Sequence, residues 1–285
     1  MSVLPQEAGL REVGGPSALG GGSRRFFDLL WLMSVTEFRR TYFGTVFGYL
    51  WSLVRPLALF GILLFVFTKV FRVGSELPNY PVLLLLGIVQ FTFFQEATTN
   101  AVTSVVSQEG VVRKTQFPRL VIPLATVLTA FFNFCLNFLI VVAFMLAWGI
   151  DPKLTWLYYP GAIAVLFVFT TASSMILSVL YVRFRDVAII WTVGAQVLFY
   201  ATPILYPLGE PGLNDPHVEK ILMLNPLGVL FEQIRCWLIE PGAPTAAQAA
   251  GGTLNLLPAA AIFLAVCAFG VWVFSREAPR IAEDL

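Results

Sequence analysis

The sequence predicts an all-α integral membrane protein: six transmembrane helices, an N-terminal interfacial amphipathic helix, and re-entrant outer helices between spans five and six. Three observations predict it. Charged residues are only 12% of the chain and hydrophobic ones 58%, whereas a soluble domain carries about 25% charged residues. The apolar runs are long and continuous rather than alternating. In lipid every backbone polar group must be paired internally, so such runs form helices and not a barrel. Finally, Lys and Arg concentrate in alternate loops, as spans of alternating direction require.

The elements follow in order. Residues 1–23 are rich in Gly, Ser and Pro and are expected to be a disordered tail. They hold no apolar core with a cleavage site, so no signal peptide is read there. Residues 24–48 form the interfacial helix. At 100° per residue Arg25, Asp28, Thr36, Arg39 and Arg40 share one side, while Phe27, Leu30, Met33, Ser34 and Phe38 lie mostly opposite. Leu32 interrupts the polar side and Ser34 the apolar one. The transmembrane domain is 49–275, with spans at 49–71, 81–105, 120–148, 156–181, 187–206 and 254–275. Each is near the roughly 20 apolar residues a crossing needs. Residues 276–285 form a tail.

Thirteen of the 18 Lys and Arg residues fall on one side of this topology. They are Arg11, Arg24, Arg25, Arg39, Arg40, Arg55, Arg113, Lys114, Arg119, Arg183, Arg185, Arg276 and Arg280. Lys69, Arg72, Lys153, Lys220 and Arg235 fall on the other. The richer side is cytoplasmic by the positive-inside rule and holds both termini. The outer segment 207–252 contains a further apolar stretch, 221–239, interrupted by Asn225-Pro226, Glu232 and Arg235. A seventh crossing there would place Arg276 and Arg280 outside. Two short helices dipping into the outer leaflet avoid that conflict; one amphipathic helix on the surface is the alternative.

Several chemistries are excluded. The dipeptide Gly-Lys does not occur, so there is no Walker A loop to cradle ATP phosphates. Glu96 is the one clear intramembrane acid, too few for an ion-coupled carrier. No Arg-repeat helix senses voltage. A single histidine, His217, and three widely spaced cysteines leave no metal site, disulfide framework or catalytic triad. No basic run exceeds two residues, which argues against nucleic acid. The chain offers a path through the membrane without an engine, so a partner must supply the energy.

Three ordered stretches carry a resemblance. The first is Arg40-Thr41-Tyr42-Phe43-Gly44-Thr45-Val46-Phe47-Gly48-Tyr49-Leu50-Trp51, followed by Pro56. The second runs from Tyr80-Pro81 through Gly87 and Phe93-Phe94 to Arg113-Lys114-Thr115-Gln116-Phe117-Pro118-Arg119 and Pro123. The third is Arg183-Phe184-Arg185-Asp186-Val187, then Thr202-Pro203-Ile204-Leu205-Tyr206, Asn225-Pro226 and Arg235. In this order they resemble the membrane subunit of ABC exporters for lipid-linked polysaccharides of the O-antigen and teichoic acid type, over about residues 24–280. Arg55 departs from the Asn usual before that Pro, and Thr36-Glu37-Phe38 from an Arg-Asp pair. The resemblance implies a homodimer, two copies of a separate ATPase that holds ATP and Mg, and a polymer carried outward on its lipid in the cytoplasmic membrane.

Candidate site residues divide by location. The loop 107–119, with Glu109, Arg113, Lys114, Phe117, Pro118 and Arg119, is the candidate ATPase-coupling segment; the alternative is that its charges are positive-inside anchors. Arg24, Arg25, Arg39, Arg40 and Arg55 could pair with the carrier's pyrophosphate, or with ordinary anionic membrane lipids. Phe91, Phe93, Phe94, Phe131, Phe132 and Phe134 are candidates to stack on sugar rings in the path, against plain packing. Glu96 and Asn100, one turn apart, face the path or make a helix–helix hydrogen bond. Leu224, Asn225, Pro226, Phe231, Glu232 and Arg235 form a candidate outer gate. Competing functions are an ABC permease for a small lipid or drug, a secondary carrier, and a membrane transferase using Asp215 and Glu219.

Overall fold

The computed structural model describes residues 23–42, 48, 50–72, 77, 79–110, 118–209 and 215–277. Most of the predicted tail at 1–23, all but two residues of the tail at 276–285, and Arg113, Lys114 and Phe117 lie outside them. The fold is all-helical. In chain order the helices are α1 (Ser23–Tyr42), α2 (Leu50–Phe65), α3 (Tyr80–Ser107), α4 (Val121–Ala147), α5 (Tyr159–Arg183), α6 (Val187–Ala201), α7 (Pro216–Leu222), α8 (Pro226–Leu238), α9 (Ala246–Ala249) and α10 (Leu257–Glu277). A π-helical turn, Val66–Val70, extends α2, and 3-10 turns lead into α5 and α10.

Five of these are long and apolar enough to cross a membrane: Leu50–Val70, Tyr80–Ser107, Val121–Ala147, Leu154–Arg183 and Thr253–Glu277. They correspond to predicted spans one to four and six. The predicted fifth, 187–206, differs. Its helix, α6, has 15 residues, or about 22 Å, short of a hydrocarbon core of about 30 Å. Pro203 is the reason. It pushes the preceding residue out of the α region, and Thr202 is extended, with φ −100° and ψ 137°. The chain continues as an irregular segment, Thr202 through Leu208, buried except for the half-buried Tyr206.

Helix α3 is central and mostly buried, packed by α2, α4, α5 and α6. It is the least apolar of the five spans. That inversion is expected in lipid, where the greasiest helices face outward and polar groups belong inside. Its core is aromatic. Phe91 meets Phe199, Phe93 meets Phe131 and Phe134, and Phe94 meets Phe169 and Trp191, with ring centroids 5.2–6.1 Å apart.

Small residues set the closest crossings. A Cβ on Gly270 of α10 would lie 2.8 Å from the Ala172 carbonyl oxygen of α5. Helix α1 crosses α4 at Ser34, which is wholly buried and whose carbonyl accepts from Thr129 Oγ1 at 3.2 Å. Ser34 thus breaks the apolar face of α1 because that is where the backbones approach. Leu32, together with Phe27 and Trp31, is exposed instead.

Candidate functional site

Two polar stripes lie on the outer surface of otherwise apolar helices. On α3 the exposed residues are Thr99, Asn100, Thr103 and Ser107, all polar and all on one face of its last turns. On α6, Trp191, Ala195 and Phe199 form the face toward α3: Phe199 meets Phe91 edge-on, and Trp191 packs on Phe94 and donates to Thr98 Oγ1 at 3.1 Å. One flank of that face carries Thr192, Gln196 and Tyr200 at i, i+4, i+8, all exposed. The opposite exposure of α6, with Ile190, Val193 and Val197, is apolar. An amide and a phenol on a membrane helix are costly against lipid, so this flank suits a polar path. Sequence reasoning named Asn100 but missed Thr192, Gln196 and Tyr200. A helical wheel of 187–201 alone would have found them.

The other predicted path residues are enclosed by the fold. Phe91, Phe93, Phe94 and Phe134 are buried in the aromatic core, and Phe131 packs there. Phe132 lies under α1, edge-on to Trp31 and Phe38. Glu96 accepts from Asn133 Nδ2 at 2.6 Å, and Asn137 Nδ2 donates to the Asn133 carbonyl. This ties α3 to α4 by a polar seam, with Arg55 in electrostatic reach of Glu96. Arg24, Arg25, Arg39, Arg40 and Arg55 are all exposed. Of the coupling segment, Glu109 is half-buried, while Pro118 and Arg119 are buried in the turn that begins α4.

The end of the bundle that holds α7 and α8 has one hub, the segment 202–208. Tyr80 donates to the Leu205 carbonyl at 2.8 Å, and Asn225 Nδ2 to Thr202 Oγ1 at 2.9 Å. Arg235 donates to the Leu208 carbonyl at 3.2 Å. Gly87 lets Ile204 sit against α3, and Gly228 lets Pro203 and the Leu222 carbonyl sit against α8. Tyr80, Gly87, Thr202-Pro203-Ile204-Leu205, Asn225 and Arg235, scattered in sequence, are therefore one junction.

The Asn225-Pro226 pair begins a helix as well as ending one. Asn225 Oδ1 accepts from Leu227 N as the N-cap of α8, and Pro226 takes the first helical position, where its missing N–H costs nothing. At the other end of α8, Thr155 Oγ1 and Trp156 Nε1 donate to the Trp237 and Leu238 carbonyls. The turn before α5 thus caps α8, a link that sequence reasoning missed. Leu224 is exposed, while Phe231, Glu232 and Arg235 are buried. Arg235 bridges Glu232 at 3.0 Å and Glu240 at 3.1 Å. Burial lifts the Glu232 carboxyl to about 7; Arg235 opposes the rise, and Glu219 and Glu240 add to it. The carboxylates weighed for a transferase have structural partners. Asp215 caps α7 by accepting from His217 N, and Glu219 accepts from Gly209 N. Among the described residues no three His, Cys, Asp or Glu side chains gather as metal ligands.

Comparison with known proteins is consistent with this architecture. The family described as ABC-2 type transporter matches residues 28–238. An O-antigen export system permease protein RfbA of Klebsiella pneumoniae is 35% identical over 268 residues, covering 91% of this chain and 95% of the relative. A second protein of that name from the same organism is 36% identical over 209 residues, covering 72% and 78%. One from Myxococcus xanthus is 27% identical over 232 residues, covering 80% and 88%.

Proposed function

This chain belongs to the ABC-2 type transporter family, and from that premise we propose that it is the membrane subunit of an ATP-driven exporter of lipid-linked polysaccharide, of the class its RfbA relatives are named for. It works as a homodimer in the cytoplasmic membrane, with both termini inside. Two copies of a separate ATPase bind ATP and Mg and drive it. The observation that carries the transport reading is the pair of exposed polar stripes on α3 and α6. A hydroxylated polymer needs hydrogen-bonding groups along its path, and polar side chains on a membrane helix are costly unless they meet water, a polar ligand or one another. Facing stripes from two copies would line one conduit.

The test is complementation in a strain lacking its own exporter, with the chain and its ATPase co-expressed and surface polysaccharide measured by immunoblot. Replacing Asn100 and Gln196 together by Leu is expected to cut surface polymer at least tenfold while leaving membrane insertion intact. Wild-type export from that double variant would remove the stripes from the path. Loss of export only when the native chain is withheld supports the reading, and export of a small lipid or drug instead would favour the competing permease function.

Coupling is assigned to the loop 107–119, on the strength of its charges and its place between two spans. Charge reversal of Arg113 and Lys114 is expected to abolish export and lower co-purification of the ATPase, with the permease itself still folded. Normal export from that variant would move the coupling elsewhere.

The outer pair α7–α8 is assigned as a lid that enters and leaves the outer leaflet. An apolar constriction can close a pore by dewetting. Single cysteines placed along 222–238, in a background without the native ones, should label from outside on both sides of Pro226. Labelling of one flank only from the cytoplasm would make α8 part of a crossing and overturn the stated orientation.

A further inference from the structure

A groove of about 190 Å³ opens between the ends of α5 and α10 that share the side of Arg183 and Arg276. Val179, Leu180, Val182, Phe184 and Val273 are its apolar lining, and Arg183 and Glu277 are the two charged lining groups. The setting is lipid-facing, since Val271 and Trp272 of α10 are exposed beside it. Arg185 lies over the Tyr181 ring at 5.1 Å and Arg276 over the Trp272 ring at 5.4 Å. A guanidinium stacked on an aromatic face keeps its N–H edges for a phosphate.

We propose that this groove binds an aminophospholipid of the surrounding bilayer, with a primary ammonium and a phosphate in its head group. Each part of the head group has a counterpart. The phosphate takes Arg183, the cation that lines the groove. The ammonium takes Glu277, which lines the same groove. A bound primary ammonium offers three N–H donors to that carboxylate. A choline head group has no N–H to offer, and a glycerol head group has no cation for Glu277. The acyl chain lies along the apolar lining. The proposal depends on α5 and α10 being membrane helices and not on which polymer is exported.

The experiment is native mass spectrometry of the full chain in detergent, delipidated and then supplied with equal phosphatidylethanolamine, phosphatidylcholine and phosphatidylglycerol of matched chains. Phosphatidylethanolamine should be retained at least fivefold over phosphatidylcholine. Glu277→Gln should erase that preference while retaining phosphatidylglycerol better than wild type. Arg183→Gln should weaken all three. Arg183 is exposed and Glu277 half-buried, and an unchanged thermal midpoint without lipid shows that the variants are folded. Equal retention of the three lipids, or an unchanged preference in Glu277→Gln, overturns the proposal. So does a Glu277→Gln variant that keeps its lipid but loses the ATPase, for the groove would then be a partner's docking surface. Export assays are not the readout, so failure here leaves the transport reading standing.

Discussion

Replacing Arg235 by Met is expected to destabilise the end of the protein around α7 and α8 by about 3–5 kcal/mol, the cost of stranding a buried charge by removing its partner. Arg235 is the cation between Glu232 and Glu240, and it also donates to the Leu208 carbonyl. Its loss leaves the buried Glu232 carboxylate without a countercharge and frees the hub segment from α8. The double variant Glu232→Gln, Arg235→Met should recover much of the loss, because a neutral amide is cheaper to bury. The pH dependence has a definite sign. The Glu232 carboxyl is raised in the fold to about 7 from its ordinary 4.5. The native state therefore holds the proton more tightly than the unfolded chain does. The contribution from this group is fully present below pH 4.5 and is lost as pH rises through about 7. Thermal melts in detergent at pH 5 and pH 8 should show the acidic midpoint higher in wild type and the difference reduced in Glu232→Gln. A flat wild-type profile would mean that Glu232 is already ionised in the folded cap.

Gly270→Val is expected to cost about 1–3 kcal/mol or more through overpacking and to loosen α10 from α5. The added Cβ would meet the Ala172 carbonyl oxygen at 2.8 Å and its Cα at 3.2 Å. These are backbone atoms, which no rotamer can withdraw. For that reason Ala172→Gly should not rescue the variant. Gly61, where an added Cβ meets nothing within 4 Å, is the control: Gly61→Ala should leave the melting midpoint unchanged or raise it, since Ala is the better helix former. If Gly270→Val melts like wild type, α10 does not cross α5 at that contact.

Both results concern neighbours distant in sequence, and there the reach of the sequence ends. Its continuous apolar runs determined that the chain is helical and membrane-embedded, because lipid leaves the backbone no other way to pair its polar groups. It singled out Asn225-Pro226 as a break in the apolar stretch 221–239, and that cap is local chemistry that needs no tertiary partner; the Thr245–Gln248 capping box is equally local, but it was not read from the sequence. It placed Glu96 and Asn100 among the candidates because polar groups in an apolar run stand out. The early end of the fifth helix was not read: the apolar residues after Pro203 extended the predicted span to 206.

Tertiary structure decided which faces meet. An apolar helix carries no hydrophobic signal separating lipid from protein, so 3.6-residue periodicity cannot tell a packed Phe from an exposed one. Phe93 and Phe132 look alike in sequence, yet one sits in the aromatic core and the other under α1. The α6 stripe acquired meaning once Trp191, Ala195 and Phe199 took the side toward α3. Tyr80, Gly87, Thr202, Asn225 and Arg235 became a single hub because short-range hydrogen bonds and close glycine contacts depend on distance in space, which the order of residues along the chain does not fix.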